Sequence, residues 1–487
     1  MASFVKFANT TFLDARFPLF KNVSFELARK QNWAIIGNTG SGRTTFLRCI
    51  QGSFTPSPST SFSYPFLKGK SDSPWQAIQL LDFKSSGQQR AAYYSERYHS
   101  FRDKEHDTTL EKWLLGAYRG NEKFASQHVQ EAASMTQLSH LLPSSLINLS
   151  NGQSRRAMLA SKLVQRPQLL LLDEPYAGLD VTSRSVLSSL LGEMSNHCSP
   201  KIVLSLRPQD KIPDFITHVL ELKNKKITYQ GPKEQYIPMT SHSTNIPVKP
   251  QMKKSKPITI GKPLISMEHL NCVYWGRKVL SDINWTIREG ERWALTGSNG
   301  SGKTTLLAYV VGDHPKLFAS NIKFFGKSIG PGTGISIFDI QENIGHCSPE
   351  IHNHFPKQHT CFEALLSAWS TTFTIPKLTE TRLAAISSIL EEFELKDIKD
   401  KPLSSISVGM QRFILFCRAI VKQPRLVVLD EPFQGVDTKY VHMAHNYLNE
   451  KLSPSQAMVI ISHYEDELPA CVNRRAHIDN GKLVIHA

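Results

Sequence analysis

The chain has 487 residues, with 57 Lys and Arg against 42 Asp and Glu, a formal net charge of +15. Hydrophobic residues make up 40% and charged residues 20%, which excludes a disordered or fibrous chain and allows two or three domains with their own cores. No apolar run approaches the ~20 residues that a membrane-spanning helix needs.

The basic excess favours acidic partners such as ATP, RNA or an anionic surface without selecting among them. A solvated basic face accounts for it equally well. The seven cysteines form no Cys-x-x-Cys pair and read as free thiols in a reducing compartment. There is no secretory signal pattern. Lys6 and Arg16 flank the first acidic residue, Asp14, which is compatible with a mitochondrial leader. Phe4–Phe7, however, already reads as the first strand of the fold. The expected location is therefore intracellular, in cytoplasm or mitochondrion.

The next feature is a short apolar strand running into Gly37-Asn38-Thr39-Gly40-Ser41-Gly42-Arg43-Thr44-Thr45. A strand, a glycine-rich turn and a helix form a phosphate-binding loop. Its glycines let backbone N–H groups crowd around phosphate oxygens, and the helix presents its positive end to the same charge. The usual lysine is replaced by Arg43, which keeps the charge but not the compact ammonium. Weakened nucleotide binding and poor hydrolysis are expected there.

Further on stand Leu149-Ser150-Asn151-Gly152-Gln153 and then the apolar run Leu169–Leu172, which ends in Asp173-Glu174-Pro175. The run is too short for a membrane span and reads as a buried parallel strand. Asp173 is expected to hold Mg²⁺ with Thr44, and Glu174 to polarise an attacking water.

Residues 238–262 carry repeated prolines without helical periodicity and read as an extended linker. The expected division is therefore 1–237, a linker at 238–262, and 263–487.

The second half repeats the first. Gly297-Ser298-Asn299-Gly300-Ser301-Gly302-Lys303-Thr304-Thr305 follows its counterpart by 260 positions, and Asp430-Glu431-Pro432 follows Asp173 by 257. Here the lysine is present. Lys303 is expected on the terminal phosphates, Thr304 and Asp430 on Mg²⁺, and Glu431 as the general base.

The order of phosphate loop, Leu-Ser-x-Gly-Gln, Asp-Glu-Pro and late histidine resembles the ABC ATPase family over nearly the whole chain. The resemblance implies an α/β fold of two P-loop NTPase domains, each with a helical subdomain carrying the signature, packed head to tail. Each ATP would then be sandwiched between the loop of one domain and the signature of the other, Ser150, Gly152 and Gln153 or Ser407 and Gly409. The resemblance further implies a switch histidine at His463, with Arg207 in the first half, and D-loop aspartates at Asp180 and Asp437. It also implies an adenine-stacking aromatic at Tyr274, with Phe12 in the first half, and Glu96 and Glu350 where the family has a Mg²⁺-contacting glutamine. Gly312-Asp-His-Pro and Cys347-Ser-Pro-Glu-Ile-His resemble a group of soluble duplicated ABC proteins typified by bacterial ModF.

In that arrangement the departures Arg43, Arg207, Val408 and Met410 fall on one composite site. Lys303, Glu431, His463, Ser150, Gly152 and Gln153 fall on the other. The expectation is one competent and one degenerate ATPase site, using ATP and Mg²⁺. Domain closure would be read by a separate membrane subunit or a soluble complex. The alternative is a nucleotide-sensing or ribosome-associated module with little turnover. The short, proline-broken linker differs from the long, charged helical one of the ribosome-acting relatives.

Overall fold

The computed structural model describes residues 3–14, 17–38, 40–57, 61–67, 74–83, 108–146, 149, 151–179, 181–196, 200–237, 261–274, 277–330, 332, 335–462 and 465–486. The chain divides into two compact units, the first drawn from Met1–Ala92 and His99–Ile246, the second built on Pro247–Ala487. Most of the expected linker, 238–260, lies outside the described residues. Its last two positions already belong to the second unit's fabric: Gly261 N–H donates to Glu289 O, and Glu289 N–H to Lys262 O.

In the first unit, β1 (Ser3–Asp14) and β2 (Phe17–Ala28) form an antiparallel sheet with the short strands β4 (Thr55–Pro56) and β5 (Ser61–Ser63). A second sheet contains β3 (Trp33–Ile36), β6 (Ile78–Asp82), β7 (Leu169–Asp173), β8 (Lys201–Leu206), β9 (His218–Lys223) and β10 (Lys226–Pro232), in the order β10-β9-β3-β8-β7-β6. Only β10 runs antiparallel to its neighbour.

The second unit repeats this plan. Its antiparallel sheet is β12 (Arg277–Arg288), β11 (Pro263–Tyr274), β14 (Ile322–Phe324) and β15 (Lys327–Ser328). Its larger sheet contains β13 (Arg292–Thr296), β16 (Ile344–Cys347), β17 (Leu426–Asp430), β18 (Ala457–Ile461), β19 (Arg474–Asp479) and β20 (Lys482–His486). Their order is β20-β19-β13-β18-β17-β16, the same as in the first unit.

The apolar runs are fully buried strands because they face two cores at once. Leu169 and Leu171 join the layer under β1 and β2, with Phe7, Phe12 and Phe46. Leu170 and Leu172, pointing the other way, join the helical layer with Leu114, Leu159 and Leu190. The second unit splits its own run likewise, Leu426 and Val428 to one side and Val427 and Leu429 to the other. This period-two partition fixes the register that brings the acidic ends of β7 and β17 to the same edge as the glycine loops.

No helix among the described residues is long and apolar enough to cross a membrane. The described cysteines are all free thiols.

Candidate functional site

In both units a glycine loop leaves a buried central strand and opens a helix, Arg43–Gln51 or Lys303–Val310. The first glycine is required by close approach. A Cβ on Gly37 would lie 2.5 Å from the carbonyl of Leu222, and one on Gly297 would lie 2.3 Å from that of Ile478. Gly42 and Gly302, each just before the helix, have φ of 100° and 109°, a backbone that only glycine adopts without cost.

The carboxylates arrive from the adjacent strands. In the first unit, Thr44 Oγ1 donates to Asp173 Oδ2 at 2.6 Å, and the Ser205 hydroxyl donates to the other carboxylate oxygen. The next residue, Glu174, has φ of 47°, and its counterpart Glu431 has φ of 46°. Left-handed backbone at a non-glycine residue costs on the order of 1 kcal/mol and clusters where function needs it. Two carboxylates held in it at matching positions mark one duplicated device.

The two devices are wired differently. In the first unit, Arg43 Nη2 donates to Glu174 Oε1 at 2.5 Å, and both side chains are 4% exposed. In the second, Lys303 Nζ donates to the carbonyls of Gly297 and Ser298 at 2.7 and 2.8 Å, along the rim of its own loop. Arg207, at the position of His463, is likewise engaged: its Nη2 meets Asp210 Oδ1 at 3.0 Å and its Nε meets Oδ2 at 3.2 Å, in a buried pair. Both arginines that depart from the family pattern thus have their charge balanced inside the first unit. Asp210 and Ser205 were not singled out from sequence. The Arg-Pro-Gln-Asp spacing was the available signal for Asp210.

In the second unit, burial pushes the Asp430 carboxyl up to about 8, with the neighbouring Glu431 and Glu350 carboxylates adding to the rise and Lys303 opposing it. A buried acid crowded by two more acids suits a cation. The oxygen donors of Thr304, Asp430 and Glu350 are of the kind Mg²⁺ prefers. Among the described residues no three His, Cys, Asp or Glu side chains converge as a metal cage. Mg²⁺ differs from caged metals in usually keeping waters and substrate phosphates among its ligands, so the residues fit it.

The signature of the second unit begins at Ser407, which caps helix Val408–Val421 by accepting from Met410 N–H. Gly409 packs so tightly that a Cβ would lie 2.0 Å from Gly435 O. Gly152 is looser, its nearest neighbour being the Ser183 hydroxyl at 3.0 Å. Arg155 Nη1 and Arg412 Nη1 each clamp the loop after the acidic strand, donating at 2.8 Å to Pro175 O and Gln434 O. Asp437 caps helix Thr438–Glu450. Thr39, Glu96, Ser150, Asp180 and His463 lie outside the described residues.

Strand register corrects one sequence assignment. Phe12 is fully buried against Phe7 and Phe62, so it cannot present a face to a base. Tyr274 closes β11 opposite Arg277, and the residue in that place on β1 is Asp14, opposite Phe17. The first unit therefore has an acid where the second has its aromatic. Sequence spacing alone missed this because a two-residue slip is invisible without the partner strand.

Two glycine loops, two acidic strand ends and two signature helices in matching registers define a duplicated P-loop nucleotide-binding protein. The ABC transporter family model matches residues 20–177 and again 280–434. The chain belongs to that family, as a tandem ATP-binding protein. It is 28% identical over 465 residues to the ABC transporter ATP-binding protein ModF of Escherichia coli, covering 91% of this chain and 90% of ModF. An uncharacterized ABC transporter ATP-binding protein of Saccharomyces cerevisiae is 28% identical over 515 residues, covering 95% and 93%. Among solved structures, one titled RNase-L Inhibitor matches with TM-score 0.53 and 14% identity, over 93% of this chain and 85% of that one. An archaeal ribosome recycling factor, solved in complex with a ribosomal stalk protein, matches with TM-score 0.51 and 15% identity over the same shares. These two likenesses are of fold.

Proposed function

We propose that the chain is a tandem ABC ATPase in which the second unit's phosphate loop runs the hydrolysis and the first unit's loop is a non-hydrolytic counterpart. The observation that carries the reading is the buried Arg43–Glu174 pair. A glutamate held by the guanidinium in the lysine slot is a poor base for water and leaves that guanidinium poorly placed for a phosphate. In the second unit, Lys303 contacts its own loop and Glu431 keeps the same left-handed placement. The Mg²⁺ would be held by Thr304 and Asp430, with Glu350 beside them, and would neutralise the β- and γ-phosphate charge. Under the family's head-to-tail arrangement, Ser150, Gly152 and Gln153 complete this site, and His463 senses the terminal phosphate.

ATP-driven closure and hydrolysis-driven opening would then be read by a partner, a membrane subunit or a soluble complex. The test is steady-state ATP turnover of the purified full chain, alone and with copurified partners. Turnover that requires Lys303 supports the reading. ATP binding with negligible turnover under every condition would sink it in favour of a nucleotide sensor. Salt-sensitive co-sedimentation with ribosomes would assign the partner to that class.

A further inference from the structure

The Gly312-Asp313-His314-Pro315 segment takes no part in the cradle chemistry above, yet it is built around the side chain of Tyr274. Helix Lys303–Val310 is capped by Val311 and followed by Gly312, whose φ of 81° turns the chain back. Asp313 then accepts from Gln341 Nε2 at 2.8 Å, which anchors the turn. His314 is thrown back over the helix end and stacks on Tyr309, with ring centroids 3.7 Å apart and 17° between planes. It is 3% exposed.

The hydrogen bonds fix which nitrogen carries the proton. Lys316 N–H donates to His314 Nδ1 at 3.1 Å, so Nδ1 is the acceptor and Nε2 carries the hydrogen. Nε2 faces the Tyr274 hydroxyl at hydrogen-bond distance. Burial holds the His314 imidazole down at about 4, with Lys316 acting in the same direction, so the ring is neutral at ordinary pH and keeps this tautomer. Lys316 adds a second constraint: its ammonium lies 5.2 Å from the centroid of the Tyr274 ring and donates to Val273 O at 2.9 Å. Tyr274 is thus gripped at its hydroxyl and covered on one side.

We propose that His314 is a positioning residue, which fixes the Tyr274 ring as the platform for the base of the nucleotide held by the second unit's phosphate loop. The proposal rests on the reading of that loop as a nucleotide site. An aromatic ring stacks usefully on a base only if its plane is set before binding, because an ordered ring loses less entropy on binding. The first unit supplies the contrast. Along matching strands and helices, Asp14, Cys49 and Phe54 stand where the second unit has Tyr274, Tyr309 and His314. The tyrosine, its histidine and the stacking partner are therefore present together in the unit that holds Lys303 and missing together in the unit that holds Arg43.

The test uses the full-length chain and two ligands that share a triphosphate but differ in having a base, Mg·ATP and Mg·tripolyphosphate. Both are titrated calorimetrically into wild type, His314→Phe, Tyr274→Phe and the double variant. His314→Phe keeps a ring on Tyr309 and removes the hydrogen bond, while Tyr274→Phe keeps the platform ring and removes the hydroxyl. Each single variant is expected to weaken ATP about fivefold, the value of one hydrogen bond. The double variant should be no weaker than either single, and tripolyphosphate affinity should not change. In turnover assays KM for ATP should rise by the same factor while kcat at saturating ATP holds. Unchanged ATP affinity in both single variants, an equal loss for both ligands, or additive losses in the double would each overturn the role of His314. Wild-type protein that binds neither ligand would overturn the nucleotide reading itself.

Discussion

Arg43 and Glu174 meet at 2.5 Å with both side chains 4% exposed, so the residue in the lysine slot of the first phosphate loop and the acid that follows the neighbouring strand neutralise each other. A second arginine substitution in the same unit, Arg207, closes on Asp210. In each case the charge of the arginine is balanced by a buried acid of the same unit.

The first consequence is for stability. Removing one partner of a buried pair leaves the other charge uncompensated and costs about 3–5 kcal/mol, whereas replacing both by apolar groups of similar volume is close to neutral. Arg43→Met is expected to lower the stability of the first unit by that amount, and Arg43→Met combined with Glu174→Leu to restore most of it. Urea unfolding of the three proteins checks this, and equal destabilisation by the single and double variants would contradict it.

The second consequence is for turnover. Glu431→Gln is expected to reduce the ATP hydrolysis rate on the order of 10²–10⁴-fold, the usual value of a general base. Glu174→Gln should leave the rate within about threefold of wild type, because its carboxylate is already committed to Arg43. Phosphate release assayed well below the unfolding temperature separates rate from stability, and similar losses in the two variants would refute the asymmetry.

Much of this was legible in the sequence because its signals are local. The glycine loops, the apolar strands ending in Asp-Glu-Pro and the duplication all lie within short windows, and the strands appear at Leu169–Asp173 and Leu426–Asp430 as expected. What was not legible depends on partners far along the chain. Phe12 looked like the counterpart of Tyr274 because it is aromatic and near the right place. Only pairing with β2 shows that it points into the core and that Asp14 holds the matching position. Arg43 could be read as a weakened lysine, but not as the partner of Glu174, 131 residues away. Nor did the sequence suggest that Gln411, one place beyond the signature, would hold the carbonyls of Leu403 and Ile406 and meet His352 at 3.0 Å.

The signatures should tolerate change unequally. A methyl group on Gly409 would meet the backbone carbonyl of Gly435 at 2.0 Å, and a backbone cannot rotate aside. Gly409→Ala is expected to destabilise the second unit by about 1–3 kcal/mol, the cost of overpacking. Gly152→Ala meets only the Ser183 hydroxyl at 3.0 Å, which can move, so its cost should stay below about 1 kcal/mol. Thermal unfolding of the two variants checks the order, and a larger shift for Gly152→Ala would reverse it.

Acid should act on the second unit through three buried imidazoles, of which His346 is held down at about 4 by burial and then by Arg418. His314 is held down at about 4 by burial and then by Lys316; His352 is held down at about 4 by burial, then by Lys357 and Arg412, with its bond to Gln411 opposing. In the unfolded chain each would take up a proton near its ordinary value of about 6.5. Between roughly 6.5 and 4 the unfolded state therefore binds more protons than the folded one, and stability falls as pH falls. Each histidine contributes stability that is fully present above about 6.5 and is lost as the pH drops toward 4, up to about 3 kcal/mol apiece at 1.36 kcal/mol per unit. His352→Gln is expected to lower stability at neutral pH, since it disturbs the bond to Gln411, but to flatten the acid slope by about one proton. Urea midpoints at pH steps from 7 to 4.5 measure that slope. A variant that keeps the full wild-type slope would show that His352 takes up its proton in the folded protein.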